Sequence, residues 1–126
     1  MNTIIISLLL SGWFFVSPLE QTVDLNKCLE KYKTEWSKPC AQCTDASKSY
    51  RVYFRNVCDE KLDVKCAAQE SDLRWRTFTR LELAPGDTVV AYACKGNGKY
   101  MYWVRTAGDA SQPFPADEEI NEQFRK

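Results

Sequence analysis

The sequence predicts a mainly β fold: a small antiparallel β-sandwich or partly open barrel with one N-terminal amphipathic helix. Three observations carry the prediction. From Tyr50 onward apolar and polar residues alternate with a period of two. Turn-forming residues separate these alternating runs at short intervals. Six cysteines in 126 residues point to a small domain held by cross-links, and 44% hydrophobic content allows one modest core.

Residues 1–17 open the chain with an uncharged apolar run from Ile4 to Val16. At about 13 residues it is shorter than the ~20 a membrane span needs, and it fits the apolar part of a secretory signal peptide. No Lys or Arg precedes it. The expectation is a secreted or periplasmic protein with no stable membrane span once the signal is cleaved. Residues 18–45 form an N-terminal helix and a Cys-rich loop. Residues 46–126 form a β domain with an acidic tail, and the two parts pack as a single domain.

The helix is expected over 22–37. Leu25, Cys28, Leu29, Tyr32 and Trp36 recur at spacings of three and four, and Pro39 ends the pattern. Val52 and Phe54 alternate with Arg51, Tyr53 and Arg55, which gives a strand over 50–58. Leu62, Val64, Cys66 and Ala68 give a second strand, read as its hairpin partner. A third runs from Leu73 to Leu83 with Trp75 turned inward and Phe78 out of step, the sign of a bulge or a change of sheet. Ala84-Pro85-Gly86-Asp87 reads as a type II turn. Thr88 to Cys94 is apolar on both faces and reads as a central strand. Lys95-Gly96-Asn97-Gly98 reads as a hairpin turn into a last strand, Tyr100 to Arg105. The tail from Thr106 is loop-like, with an acidic and partly helical stretch over 116–124.

Zero formal net charge argues against a nucleic-acid partner. With no His in the chain, imidazole-based catalysis and imidazole metal sites are excluded. No pair of carboxylates stands apart from turns and solvated faces, and Gly96-x-Gly98 alone is no phosphate loop. The chain is therefore read as non-enzymatic, with no catalytic residues, no metal and no cofactor.

Cys28, Cys40, Cys43, Cys58, Cys66 and Cys94 permit up to three disulfides, with 15 connectivities open. Cys58 with Cys94 is the favoured pair, since each ends a predicted strand beside a turn. Cys40-Ala41-Gln42-Cys43 has two further readings. A redox site would need its first Cys at a helix N-terminus. A zinc site would need four thiolates such as Cys40, Cys43, Cys58 and Cys66.

Residues 46–105 hold 11 basic and 7 acidic side chains, and residues 106–126 hold 2 and 5. The tail therefore either lies across a basic face of the sheet or leaves that face to an acidic partner. Aromatic residues interleave with the basic ones. Tyr53, Arg74, Arg76, Tyr102 and Arg105 form the candidate exposed patch, suited to a protein or glycan partner.

Two partial resemblances rest on particular residues of the chain. Asn56-Val57-Cys58, an alternating strand with Val64 and Ala68, Trp75, and Leu83-Ala84-Pro85-Gly86 together resemble a kind of small exported bacterial domain of unknown function. Thaumatin-like proteins begin with a similar order but are larger and richer in Cys. The likeness covers about a third of the chain and implies a β-sandwich. Separately, Gly98-Lys99-Tyr100-Met101-Tyr102-Trp103 followed by Gly108-Asp109-Ala110 is similar to the end of bacterial C-type lysozyme inhibitors. Those use a Ser-Gly-x-x-Tyr segment; here Asn97 replaces the Ser and the spacer after Tyr is missing. The leading expectation is an exported, disulfide-stabilised binding module. The alternatives are a secreted inhibitor or effector acting on another enzyme, and a Cys-based redox or zinc protein.

Overall fold

A computed structural model describes residues 24–126. The expected signal segment, 1–17, lies outside the described residues. A short 3-10 turn, Leu25–Cys28, leads into strand β1 (Leu29–Trp36). The Asp24 carboxylate accepts from the Asn26 amide at 3.1 Å and caps this turn. β2 (Tyr50–Asn56), β3 (Leu62–Glu70), β4 (Trp75–Leu83), β5 (Thr88–Ala93) and β6 (Gly96–Thr106) follow, and helix α1 (Asp117–Phe124) closes the chain. The strands form two antiparallel three-stranded sheets, β1-β2-β5 and β4-β3-β6. Their inner faces share one core, in which Val52, Phe54 and Ala91 meet Leu62, Val64 and Leu83. The fold is mainly β and open, two facing sheets rather than a closed barrel.

The segment 22–37 departs from expectation. Over its described part the chain makes the 3-10 turn and β1, not an α-helix. β1 pairs with β2, with a register shift between Lys31 and Lys33. The bulge at Tyr32 resets the alternation, so Leu29 and Lys31 face inward before it and Thr34 and Trp36 after it. The apolar residues whose spacing resembles one helical face are thus divided between the two sides of the strand, Leu29 and Trp36 inward and Tyr32 outward.

Two hairpin expectations are also corrected. β2 and β3 lie in different sheets, and so do β5 and β6. The Asn56 side chain organises the first crossing. Its amide donates to Glu60 O (2.8 Å) and Leu83 O (2.9 Å), and its Oδ1 accepts from Cys58 N (2.9 Å). At the second crossing, a Cβ on Gly96 would lie 2.5 Å from Tyr50 Cβ, so glycine lets the β6 backbone pass. Gly98, at φ +89°, takes up the irregular register between β6 and the end of β3. β5 is an edge strand, not a central one; its outer Val90 and Tyr92 are half-exposed.

Residues 84–87 do form the expected turn: Asp87 N–H donates to Ala84 O at 2.9 Å, and Gly86 has φ +85°. The irregularity on β4 lies near Glu82 (φ +54°), not at Phe78. Phe78 faces the core side opposite Cys66, and Trp75 faces outward but is covered by α1. Leu81, expected inward, is exposed.

The acidic tail lies across the outer face of the β4-β3-β6 sheet. Ile120 packs on Ala67 and Trp75, and Trp75 Nε1 donates to Phe124 O at 3.0 Å. Lys65 Nζ lies 2.7 Å from the Asp117 carboxylate. Arg105 donates to the buried Asp63 at 3.0 Å, and Gly108 N–H donates to the same oxygen at 3.0 Å. Burial pushes the Asp63 carboxyl upward, but the Glu82 and Gly108 amides and Arg105 outweigh it and hold it below the usual carboxylate range.

The disulfides are Cys28–Cys58 and Cys43–Cys94, so the expected Cys58–Cys94 pair is replaced. Cys58 sits after β2 at one end of the sandwich, whereas Cys94 follows β5 at the other. Cys40 and Cys66 are free thiols, so the chain has two bridges rather than three. Burial in the core pushes the Cys66 thiol up to about 12.

Candidate functional site

β-Strand alternation sends Arg51, Tyr53 and Arg55 of β2 to the outer face of the β1-β2-β5 sheet. Cross-strand pairing brings Lys33 and Glu35 of β1 and Val90 and Tyr92 of β5 to the same face. Tyr32 joins them at the bulge, its ring 6.0 Å from that of Tyr53. The opposite sheet is roofed by α1 and the tail. Among the described residues only the loop 37–49 leans on this one, and Tyr32 and Val90 are each 36% exposed.

A lattice of charge and ring contacts orders the face. Tyr53 OH donates to Glu35 Oε1 at 2.7 Å, and Arg51 donates to Tyr53 OH at 3.4 Å. Lys33 and Arg51 lie 3.7 and 3.8 Å from the Glu35 carboxylate. The hydrogen bond from Tyr53 is the main reason the Glu35 carboxyl is held below its ordinary value. The Lys33 ammonium sits 4.4 Å above the Tyr53 ring, and the Arg55 guanidinium 4.2 Å above the Tyr32 ring. Arg51 also donates to Pro39 O. Arg55 makes no ion pair among the described residues.

Two open hollows lie toward the end where the loop meets β5. One, of about 300 Å³, is lined by Cys40, Gln42, Arg51, Tyr53, Val90 and Tyr92. The other, of about 580 Å³, is lined by Glu70, Ser71, Arg74, Arg76, Cys94 and Lys95. Its buried Glu70 carboxylate already accepts from the Cys94 and Lys95 amides, at 3.2 and 2.9 Å, and lies 3.5 Å from Arg76.

The expected patch is not one surface. Tyr53 alone lies on the outer face of the β1-β2-β5 sheet. Arg74 and Arg76 line the larger hollow, with Arg76 5.4 Å above the Tyr92 ring. Tyr102 faces between the sheets, edge-on to Phe54 at 5.3 Å. Arg105 is tied to Asp63 and lies 4.5 Å from the Phe114 ring of the tail. Tyr32, Lys33, Glu35 and Arg55 were missed as site residues. The alternation around Tyr53 already placed Arg51 and Arg55 beside it, while the helical reading of β1 hid the other three.

The four thiols named for zinc do not converge: Cys43 and Cys58 belong to separate bridges and Cys66 is in the core. The segment similar to lysozyme inhibitors is part of β6. Asn97 donates inward to Gln69 Oε1 at 2.9 Å, and Tyr100 and Tyr102 pack on Phe54. No helix among the described residues is long and apolar enough to cross a membrane. No protein-family model, no curated protein and no solved structure matches the chain.

Proposed function

We propose that the protein is a non-enzymatic binding module that presents the outer face of its β1-β2-β5 sheet to a protein partner carrying acidic side chains. The observation that carries this reading is the difference between the two outer faces. Among the described residues, the tail covers one, and the other is an ordered array of tyrosines and cations. Aromatic and arginine side chains are the usual anchors of protein interfaces, and an array fixed before contact loses little entropy on binding. Lys33 and Arg55 already cap the Tyr53 and Tyr32 rings, which leaves less flat ring surface for a sugar and favours carboxylates as the recognised group. Two disulfides suit an oxidising compartment, in keeping with export.

The test is peptide display selected against the intact oxidised chain, followed by titration of the isotope-labelled protein with the selected peptides. Enriched peptides should be acidic and shift the resonances of Tyr32, Tyr53 and Arg55. Arg55→Glu should weaken them about tenfold, a loss of ~1.4 kcal/mol. Enrichment with no acidic bias, or shifts confined to other surfaces, would overturn the reading. Neutral oligosaccharides that perturb the same tyrosines would replace it with a glycan-binding one.

A further inference from the structure

The third cysteine beside the Cys43–Cys94 bridge is a free thiol, and its Sγ donates to Gln42 Oε1 at 2.9 Å. Cys40 is half-buried, lines the smaller hollow and stands three residues before Cys43. Cys43 N–H donates to Cys40 O at 3.0 Å, closing a tight turn. In such a turn the first and fourth Cα atoms lie within about 7 Å, and a disulfide spans about 4.4–6.8 Å. The turn therefore holds the backbone of a free cysteine close to disulfide range of one cysteine of an existing bridge.

We propose that Cys40, Cys43 and Cys94 form an internal disulfide-exchange site with two covalent states. Cys40 loses its proton to solvent, and the thiolate attacks Cys43 Sγ. The Cys40–Cys43 bond forms as the Cys43–Cys94 bond breaks, and Cys94 leaves as a thiolate that takes up a proton. Thiols and disulfides are conserved in number, so no oxidant or reductant is consumed.

The hydrogen bonds of the loop define what the exchange releases. Its base is held without sulfur. Ser37 N–H donates to Ser49 O (2.9 Å), Ser49 Oγ to Lys38 O (3.0 Å), and Gly96 N–H to Lys48 O (3.0 Å). Among the described residues, the bridge and the hydrogen bond that tie the tip, residues 40–45, to elements outside the loop both go to Cys94: the bridge itself and the Cys94 Sγ to Gln42 O contact at 3.7 Å. Exchange therefore unpins the tip and leaves the base in place. Cys40 and Gln42 wall the smaller hollow and Cys94 the larger, so the covalent state sets the shape of both. This inference is independent of the proposed binding role.

The experiment holds the full oxidised chain at pH 6 and at pH 8.5 with no added redox reagent, then quenches with acid, labels free thiols and maps tryptic peptides. Cys40 and Cys43 share the peptide 34–48, and Cys94 lies in 81–95. The expected result is a labelled 81–95 released from 34–48. Its rate should rise roughly tenfold per pH unit while the thiol is mostly protonated, because the thiolate is the nucleophile. Cys40→Ser should abolish the release and leave the bridge intact. Three results would overturn the proposal: Cys94 unlabelled after prolonged incubation at pH 8.5, a bridge moved to Cys40–Cys94, or a rate that scales with protein concentration.

Discussion

Replacing Asn56 by alanine removes the side chain that joins three loops at one end of the sandwich. Its amide donates to Glu60 O and Leu83 O at 2.8 and 2.9 Å, and its carbonyl accepts from Cys58 N at 2.9 Å. The side chain is buried, and so is Leu83, so water does not easily replace the bond to Leu83 O. A net hydrogen bond contributes about 0.5–1.5 kcal/mol, and a buried group left unpaired costs about 1–3. With Glu60 exposed and able to rehydrate, Asn56→Ala should cost about 2–4 kcal/mol. For a domain of this size that lowers Tm by roughly 10–20 °C. The assay is urea denaturation at pH 7 without reductant, so that both bridges persist. Asn26→Ala, at an exposed side chain, is the control and should stay within about 0.5 kcal/mol of the parent. A loss below about 1 kcal/mol at Asn56, or one no larger than at Asn26, would refute the role given to this side chain.

Three further outcomes are expected. Asp63→Asn should cost about 3 kcal/mol at pH 7, because it leaves Arg105 without its buried carboxylate. The folded Asp63 carboxyl titrates below the unfolded value of about 3.9, so its stabilisation is full above that pH and lost as pH falls through the lower folded value. Urea titrations should therefore show the gap between parent and variant narrowing at pH 3. Gly96→Ala should destabilise by about 1–3 kcal/mol, because its Cβ meets the Cβ of Tyr50, which no side-chain rotation can move. At pH 8 in a native buffer, Cys66 should resist thiol reagents while Cys40 reacts, and Cys66 labelling should follow unfolding as urea is added. Equal rates for the two thiols in native buffer would be inconsistent with the buried position of Cys66.

Strands whose alternation is unbroken were legible in the sequence. β2, with Val52 and Phe54 inward and Arg51, Tyr53 and Arg55 outward, follows the expected phase, and so does β3 with Leu62, Val64 and Cys66. What the sequence hid has local causes. In β1 Leu29 and Trp36 lie on one side and Tyr32 at the bulge on the other, so apolar residues of two faces share a helix-like spacing in the sequence. The hairpin readings assumed that consecutive strands pair, whereas Asn56 and Gly96 each serve a passage between sheets. Trp75 was rightly expected to be buried, but the surface that buries it belongs to α1, some 45 residues later. The patch scatters because interleaving along a strand does not put residues on one face: Tyr102 and Arg105, three apart on β6, point to opposite sides of its sheet. Their burial depends on Asp63 and Phe54, distant in sequence and not visible as periodicity. Asn56, Cys58 and the Leu83–Gly86 turn do converge at one end of the fold, which explains the spacing of those residues without any ligand.

The order of the strands along the chain has a consequence for synthesis. Cys28–Cys58 and Cys43–Cys94 interleave, so one continuous cross-linked span ends at residue 94. β6 lies beyond that span, yet β3 needs it as its second neighbour. Until β6 has emerged, a nascent chain can hold β3 only in a two-stranded ribbon with β4, with Leu62, Val64 and Cys66 along an unpaired edge. Such an edge is the place where chains join one another. Cys66, chemically silent once the sandwich closes, is open to mispairing during that interval. β6 thus both completes the sheet and retires a stray thiol.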